Sequence, residues 1–375
     1  MKIGIICYPT YGGSGVVATE LGKALASVGH EVHFISYNQP ARLDFFSENV
    51  FYHEVNIAKY PLFEYAPYET ALAGKMVDIV QSAHLDILHV HYAIPHASAA
   101  LVAKQILAQQ GITIPVVTTL HGTDITLVGR EMTYEHVVSW SINQSDAVTA
   151  VSEDLRKQTY EHFKINRDID VIPNFIDFGR FNKKPREHFK QMIAPNGEKI
   201  IIHTSNFRKV KRIEDVIAVF AQIIKEIPAK LLLIGDGPER SHIEKVSREF
   251  NTCDWVTFLG KQEAIEEILS IGDLFILPSE SESFGLAALE AMACEVPVIS
   301  SNAGGIPEVN IHGVTGYLSN VGDVNDMAQN AITLLKDPQL LAKFRKNALQ
   351  QAHKFDLAEI LLQYEAIYNR VITTN

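Results

Sequence analysis

The chain has 375 residues, 47% of them hydrophobic and 21% charged, with a formal net charge of −11. That length exceeds what one core ordinarily serves, so two domains are expected, built as a packed α/β chain rather than a disordered one. The acidic balance argues against nucleic acid and against a broadly anionic membrane surface as partners, so a phosphate ligand must be met by a local cluster of cations.

Apolar, β-branched runs at 3–7, 32–36, 50–55, 87–90, 116–120, 147–151 and 170–172 predict strands, and amphipathic stretches at 16–28, 68–83, 97–109 and 134–143 predict helices between them. Continuously apolar strands separated by helices imply a parallel sheet covered on both faces. The pattern pauses at Ile172-Pro-Asn-Phe-Ile-Asp-Phe178 and stays polar, rich in Lys and Pro, through Glu198. A second α/β series then runs through strands at 200–204, 230–234, 255–259, 274–277, 296–300 and 317–318. The expected organisation is an N-terminal domain over 1–172, a C-terminal domain over 173–356, and a last helix over 357–375 that packs back on the first. Two doubly wound sheets in tandem place a cleft between them, and ligands of such sheets bind beyond the carboxyl ends of the strands. Cys7, Cys253 and Cys294 each stand in an apolar context without metal-ligand spacing, which points to reduced thiols in a cytoplasmic protein. No apolar run approaches the ~20 residues of a membrane span, and the N-terminus enters a strand pattern without a signal sequence.

The first strand runs into Tyr8-Pro-Thr-Tyr-Gly-Gly13-Ser14-Gly15 and then a helix. Gly13-x-Gly15-x-x-Ala18 matches the dinucleotide fingerprint, yet the second strand ends at Ser36-Tyr37 with no acid for a ribose. Only an NADP-dependent oxidoreductase, using Arg42, survives from that class, and the glycines also read as a plain strand-to-helix turn. His89-Val-His91-Tyr92 and His121-Gly-Thr-Asp124 each close a strand and are expected to face the cleft. His89 and His91 share one strand face and no His-Glu motif accompanies them, so Tyr92, His121 and Thr123 read as a substrate-facing cluster rather than a metal site.

The second half opens with Ser205-Asn206-Phe-Arg208-Lys209-Val-Lys211-Arg212 after a strand, either a solvated basic turn or a cation cluster for a diphosphate. Gly235-Asp-Gly-Pro and Gly260-Lys261 end two further strands in turns. In Glu282-Ser283-Phe284-Gly285-Leu286-Ala-Ala-Leu-Glu290 a strand passes through a tight loop into a helix. The amides of Phe284, Gly285 and Leu286 would be unpaired donors at the helix start, ready for an anion. Glu290 is the only charge between Phe284 and Cys294, and its burial requires either a core cation or a ligand such as a ribose diol. Ser300-Ser-Asn-Ala-Gly304-Gly305-Ile-Pro-Glu308 adds a glycine loop on the same rim.

The glycine loop, the Arg/Lys segment, Gly-Asp-Gly-Pro, and Glu-x7-Glu followed by Ala-Met-Ala-Cys and Gly-Gly-Ile-Pro-Glu resemble the retaining glycosyltransferases of family 4, over nearly the whole chain. The resemblance implies the GT-B fold, two Rossmann-like domains, and no metal or other cofactor. Cys7-Tyr-Pro with Gly-Gly-Ser-Gly15, His91-Tyr-Ala-Ile-Pro-His96, Thr118-Thr-Leu-His-Gly-Thr-Asp-Ile-Thr126, Asn174-Phe-Ile-Asp177 and the basic segment are most similar to the branch acting in bacillithiol biosynthesis. That branch moves N-acetylglucosamine from UDP-GlcNAc to the hydroxyl of L-malate. By this resemblance Glu290 holds the uridine ribose and Glu282 lies beside the donor sugar. Arg208 and Lys211 neutralise the departing UDP, and His121 orients the sugar. Gly13, Asn206, Gly235, Lys261, Ser283, Phe284, Gly285 and Leu286 complete the donor site. Many members carry an Arg where Ser205 or Asn206 stands, so Arg208 supplies that charge from a shifted position. Ser14, Arg42, Tyr92 and Thr123 are the acceptor candidates, with Lys59, Lys75 and Arg130 as alternatives. A lipid or polysaccharide acceptor is the runner-up, disfavoured by the lack of a basic amphipathic stretch; a sugar-nucleotide sensor has no residue arguing for it. Oligomeric state is left open.

Overall fold

The computed structural model describes residues 1–43, 47–57, 66–127 and 131–374. They form two units, Met1–Asn174 together with Leu357–Asn375, and Phe175–Asp356. The first holds strands β1 (Lys2–Ile6), β2 (Glu31–Ser36), β3 (Val50–Glu54), β4 (Ile87–His91), β5 (Val116–Leu120), β6 (Ala147–Ala150) and β7 (Asp170–Val171). All pair in parallel in the order β3-β2-β1-β4-β5-β6-β7. Every residue of β4 and β5 is buried, as strands with helices on both faces must be. The helices Tyr68–Ala83 and Ser98–Ala108 pack one side through Leu72, Met76, Ala100 and Leu107 against Ile6, Leu88 and Val90.

The C-terminal helix Leu357–Thr374 belongs to this first unit and buries Tyr364 and Tyr368. The Tyr368 hydroxyl meets His89 Nδ1 at 2.7 Å, and Glu365 pairs with His30 at 2.8 Å. His89 was expected to face a ligand, but it is fully buried, its other nitrogen 2.7 Å from the Thr119 hydroxyl. A histidine in the middle of a central strand lies beneath a helix, and both of its nitrogens find partners there.

The second unit repeats the architecture with β8 (Lys199–Thr204), β9 (Ala229–Ile234), β10 (Val256–Gly260), β11 (Leu274–Leu277), β12 (Val298–Ser301) and β13 (Gly316–Ser319), ordered β10-β9-β8-β11-β12-β13. The helix Ile213–Ile223 covers one face with Ile213, Val216, Ile217 and Phe220, all buried. β12 starts two residues later than its apolar run, because Glu295 is left-handed (φ 59°) and Pro297 has no N–H for a ladder. Cys253, expected in an apolar setting, is exposed at a short turn before β10, whereas Cys7 and Cys294 are buried.

In both sheets the strand order reverses once, between β1 and β4 in the first unit and between β8 and β11 in the second. Crevices beyond the carboxyl ends at such points are where doubly wound sheets bind ligands.

Candidate active site

In the second unit, the segment after β8 is held by backbone bonds on both sides. Ser205 and Phe207 donate to the carbonyls of Ile234 and Asp236 at 3.1 Å each, and Glu239 donates to Phe207 at 2.9 Å. Phe207 anchors the segment in the core. Gly235 makes the contact sterically feasible: its φ is +119°, and a Cβ there would stand 1.8 Å from the Ser205 carbonyl. Its amide is taken by the Gly260 carbonyl at 2.8 Å, so this predicted donor contact supports the basic loop from behind.

Across the switch point, Glu280 donates its amide to the Val210 carbonyl at 2.8 Å, tying the basic loop to the segment after β11. That contact brings two predicted residues together. Lys211 Nζ lies 2.5 Å from Glu282 Oε1, and the Ser279 hydroxyl donates to the same oxygen at 3.1 Å. Of the other cations in the run, Arg212 is committed to Asp215 at 2.6 Å, while Arg208 is exposed on the loop, as is the neutral Asn206. The Arg212 pairing leaves Arg208, Lys209 and Lys211 as the candidate anion ligands of the basic run. Lys261 is exposed after β10, and no contact among the described residues joins it to the Lys211–Glu282 pair.

Glu282-Ser283 is pinned from the other side by the glycine loop after β12. Gly305 donates to the Glu282 carbonyl at 2.9 Å, and Cβ atoms at Gly304 and Gly305 would fall 1.9 and 2.4 Å from the Glu282 and Ser283 carbonyls. Gly285, at φ +97°, then turns the chain into the helix Leu286–Ala293, whose first internal bond is donated by Ala288. The amides before Ala288 therefore lack helical acceptors, an arrangement that suits an anion. Phe284 is buried edge-on against Phe355, 5.4 Å away, which fixes the loop. Glu290 is buried in this helix and interacts with the protein around it.

In the first unit, the helix Gly13–Ser27 starts at the switch point, capped by Gly12. Gly15 packs on its own loop, since a Cβ there would be 2.4 Å from the Thr10 carbonyl. Ser14 Oγ meets the Tyr92 hydroxyl at 2.6 Å, which brings two predicted acceptor residues together, and Thr123 stands close to the same phenol. Tyr92 holds an unusual φ of +88° just past β4, its ring 5.2 Å from that of His121. His121 is in turn bonded through Nε2 to His91 Nδ1 at 2.7 Å. Asp124 accepts the amides of Ala93 and Gly122 at 2.8 and 3.1 Å, and burial raises its pKa to about 6 against those bonds. It is a brace for two loops. Arg42 does not join this group among the described residues: it sits at φ +65°, its carbonyl 3.4 Å from Lys23 Nζ. Lys75 lies near His53 instead, and Lys59 and Arg130 are outside the described residues. Among the described residues no cluster of His, Cys, Asp or Glu is arranged to hold a metal ion.

The imidazoles of the first unit predict its acid sensitivity. Burial lowers His89 and His121 to about 3 and His96 to about 4, and takes His91 well below the ordinary 6.5. Each binds a proton in the unfolded chain before it does so in the fold, so stability is complete above pH 6.5 and falls as pH drops toward the folded values. Asp124, raised to about 6, works in the opposite sense but is one group against four. The unfolding free energy of the first unit, measured by urea titration, should therefore fall steeply below pH 6.5, by more than ~1 kcal/mol per pH unit. A flat profile would mean that these imidazoles are already charged in the fold.

Sequence reasoning missed His203, a buried histidine at the end of β8 that meets the Ile276 carbonyl of β11 and the hydroxyl of Ser205 at the start of the basic loop. The signal was an imidazole directly after the apolar run Ile200–Ile202, on the same strand face as Ile201 and Ser205.

Comparisons with known proteins bear on the family and the fold. A family model described as Glycosyltransferase Family 4 matches residues 11–180, and one described as Glycosyl transferases group 1 matches residues 184–351. The N-acetyl-alpha-D-glucosaminyl L-malate synthase of Bacillus anthracis is 50% identical over 374 residues, 99% of this chain and 97% of that one. The sulfoquinovosyl transferase SQD2 of Arabidopsis thaliana is 26% identical, over 79% of this chain and 59% of its own. Among solved structures, HepE of Anabaena in complex with UDP and glucose superposes with a TM-score of 0.82 at 22% identity, over 98% of this chain and 99% of that one. Sucrose-phosphate synthase from Thermosynechococcus elongatus gives 0.82 at 23% identity, over all of both chains.

Proposed function

The chain belongs to glycosyltransferase family 4, with the GT-B fold, and from that premise we propose that it transfers N-acetylglucosamine from UDP-GlcNAc to the hydroxyl of L-malate. The observation that carries this reading is the 50% identity to the Bacillus anthracis synthase across nearly the full length of both chains.

The donor lies on the second unit. Its diphosphate is met by Lys211, Arg208 and the amides at the start of the helix Leu286–Ala293, and its ribose by Glu290. Both side-chain hydrogen bonds of Glu282 fall on Oε1, which leaves Oε2 to accept from the sugar hydroxyls. As the bond from C1 to the β-phosphate oxygen breaks, negative charge grows on UDP and positive charge on the sugar ring. Cations preorganised where that charge develops lower the barrier directly. The malate oxygen then bonds to C1 on the face the phosphate leaves, and its proton passes to the departing phosphate oxygen, so the α configuration is retained. This scheme needs no metal, because Lys211, Arg208 and the helix amides supply the positive field. His121, neutral and held by His91, serves as a hydrogen-bonding group for the sugar rather than as a base.

L-malate is met on the first unit by the hydroxyls of Ser14, Tyr92 and Thr123. Tyr92→Phe keeps the ring and removes the phenol hydroxyl that is bonded to Ser14. It should raise KM for malate about tenfold, as expected for a lost hydrogen bond to a charged group, while KM for the donor holds. Equal effects on both substrates would detach Tyr92 from the acceptor.

The decisive experiment incubates the protein with each UDP-sugar and a panel of hydroxy acids, glycans and lipid acceptors, with and without a chelator, and identifies new glycosides by mass spectrometry. N-acetylglucosaminyl-malate in the α configuration, formed with chelator present, is the expected product. A lipid or glycan product in its place would overturn the acceptor assignment.

A further inference from the structure

We propose that His203 is a positioning residue: it joins the loop that carries Lys211 to the strand that delivers Glu282, and so sets the spacing of the anion-binding groups. The inference rests on reading the second unit as the donor site and goes beyond it, because His203 itself touches no substrate in that reading.

The argument begins in the sheet. β8 and β11 pair only through Ile201↔Leu274 and Ile202↔Phe275 and then part, while β8 stays paired to β9 as far as Thr204↔Ile234. This parting is the switch point, and past it the backbone ladder no longer ties the two loops together. The next carbonyl on β11, Ile276, is met by a side chain: His203 Nδ1 lies 2.9 Å from it. The ring's other nitrogen, Nε2, lies 2.8 Å from the Ser205 hydroxyl. A carbonyl only accepts, so Nδ1 carries the proton, and in the neutral ring Nε2 must accept from Ser205. One imidazole thus replaces a missing ladder bond on one side and holds the first residue of the basic loop on the other.

Its surroundings demand neutrality. His203 is fully buried, and burial lowers it to about 4, with the nearby Lys211 charge adding to that effect and Glu282 opposing it. Both members of the ion pair therefore sense this ring. A second tie, from the Glu280 amide to the Val210 carbonyl, lies further out along the same loops, so the imidazole is the inner of two braces. Ser205 is held besides by its own amide on Ile234 and by its carbonyl against Gly235, which leaves the hydroxyl free to serve the histidine.

The test uses the intact chain with UDP as the probe. His203→Phe fills the space and removes both bonds. His203→Asn places an amide donor where Nδ1 stands and restores the Ile276 contact alone. For His203→Phe, UDP affinity measured by calorimetry should fall about tenfold and kcat at least as much, while KM for malate is unchanged; His203→Asn should recover a large part of both. Wild-type kcat and UDP affinity in His203→Phe would overturn the proposal, as would equal losses toward UDP and malate, the mark of general loosening. If His203→Phe does not fold, His203→Asn decides alone: it should fold with intermediate UDP affinity, and unaltered affinity and rate would count against the brace. The 15N shifts of His203 give a readout independent of any ligand, with an Nδ1–H neutral ring expected and an Nε2–H ring overturning the assignment. A wild-type chain that binds no UDP would instead bring down the donor-site reading, with the 15N result still judging the brace.

Discussion

Replacing Lys211 by methionine should lower kcat for transfer by about 10²–10³-fold, the range seen when a donor aimed at developing negative charge is removed. The donor KM should change far less. Methionine keeps the length and apolar stem of the side chain but removes the charge, and that charge acts mainly in the transition state, when the diphosphate carries its fullest negative charge. The geometry adds a second signature. Lys211 and Glu282 lie 2.5 Å apart and are mostly covered, with side-chain exposures of 18% and 15%. Removing the cation alone leaves a carboxylate beside the incoming phosphates without its partner, so part of the loss is repulsion rather than missing attraction. Glu282→Gln in the Lys211→Met background should therefore recover some of the rate, and the two substitutions should be clearly non-additive. Additive effects would mean that the pair is a feature of the free protein only. Retention of wild-type kcat in Lys211→Met would remove this cation from the chemical step.

Much of this arrangement is legible in the residues themselves, and what is not has identifiable causes. The runs at 116–120 and 274–277 coincide with β5 and β11 residue for residue, because strands covered on both faces are apolar throughout and have sharp ends. Glu282 through Leu286 read correctly as a strand-loop-helix passage, since Gly285 supplies the one left-handed φ the turn needs. Charge runs are less transparent. Arg212 looks like an anion ligand beside Lys211, yet Asp215, three residues on, takes its guanidinium at the start of a helix. Gly235 looks like a ligand-approach glycine, yet the backbone it approaches is Ser205. Arg42 was chosen by its place after β2, but sequence distance does not tell which loops a switch point brings together. His203 was passed over for the same reason: its importance lies in Ile276, a partner on a strand that is adjacent only in the folded sheet.

Glu290→Gln should weaken UDP binding by about tenfold to a hundredfold, corresponding to ~1.5–3 kcal/mol for hydrogen bonds to a charged acceptor, with the thermal midpoint held. The substitution is nearly isosteric, so the helix Leu286–Ala293 keeps its packing. What changes is that one carboxylate oxygen becomes a donor and the charge disappears. A ribose diol presents two hydroxyls, and a carboxylate can accept from both where an amide can accept from one. The test gains specificity from the ligand side: wild type should bind UDP well above 2′-deoxy-UDP, and that preference should shrink in Glu290→Gln. The alternative is that Glu290 belongs to a core ion pair. It interacts with the protein around it, and its charge contributes to the Cys294 thiol being pushed up to about 12, an effect due first to burial. Under that alternative, neutralising Glu290 strands a buried cation at a cost of ~3–5 kcal/mol. The thermal midpoint would then drop, and UDP and 2′-deoxy-UDP would lose affinity together. The two readings thus separate on a pair of measurements, since a ribose ligand changes selectivity at constant stability and a core pair changes stability at constant selectivity.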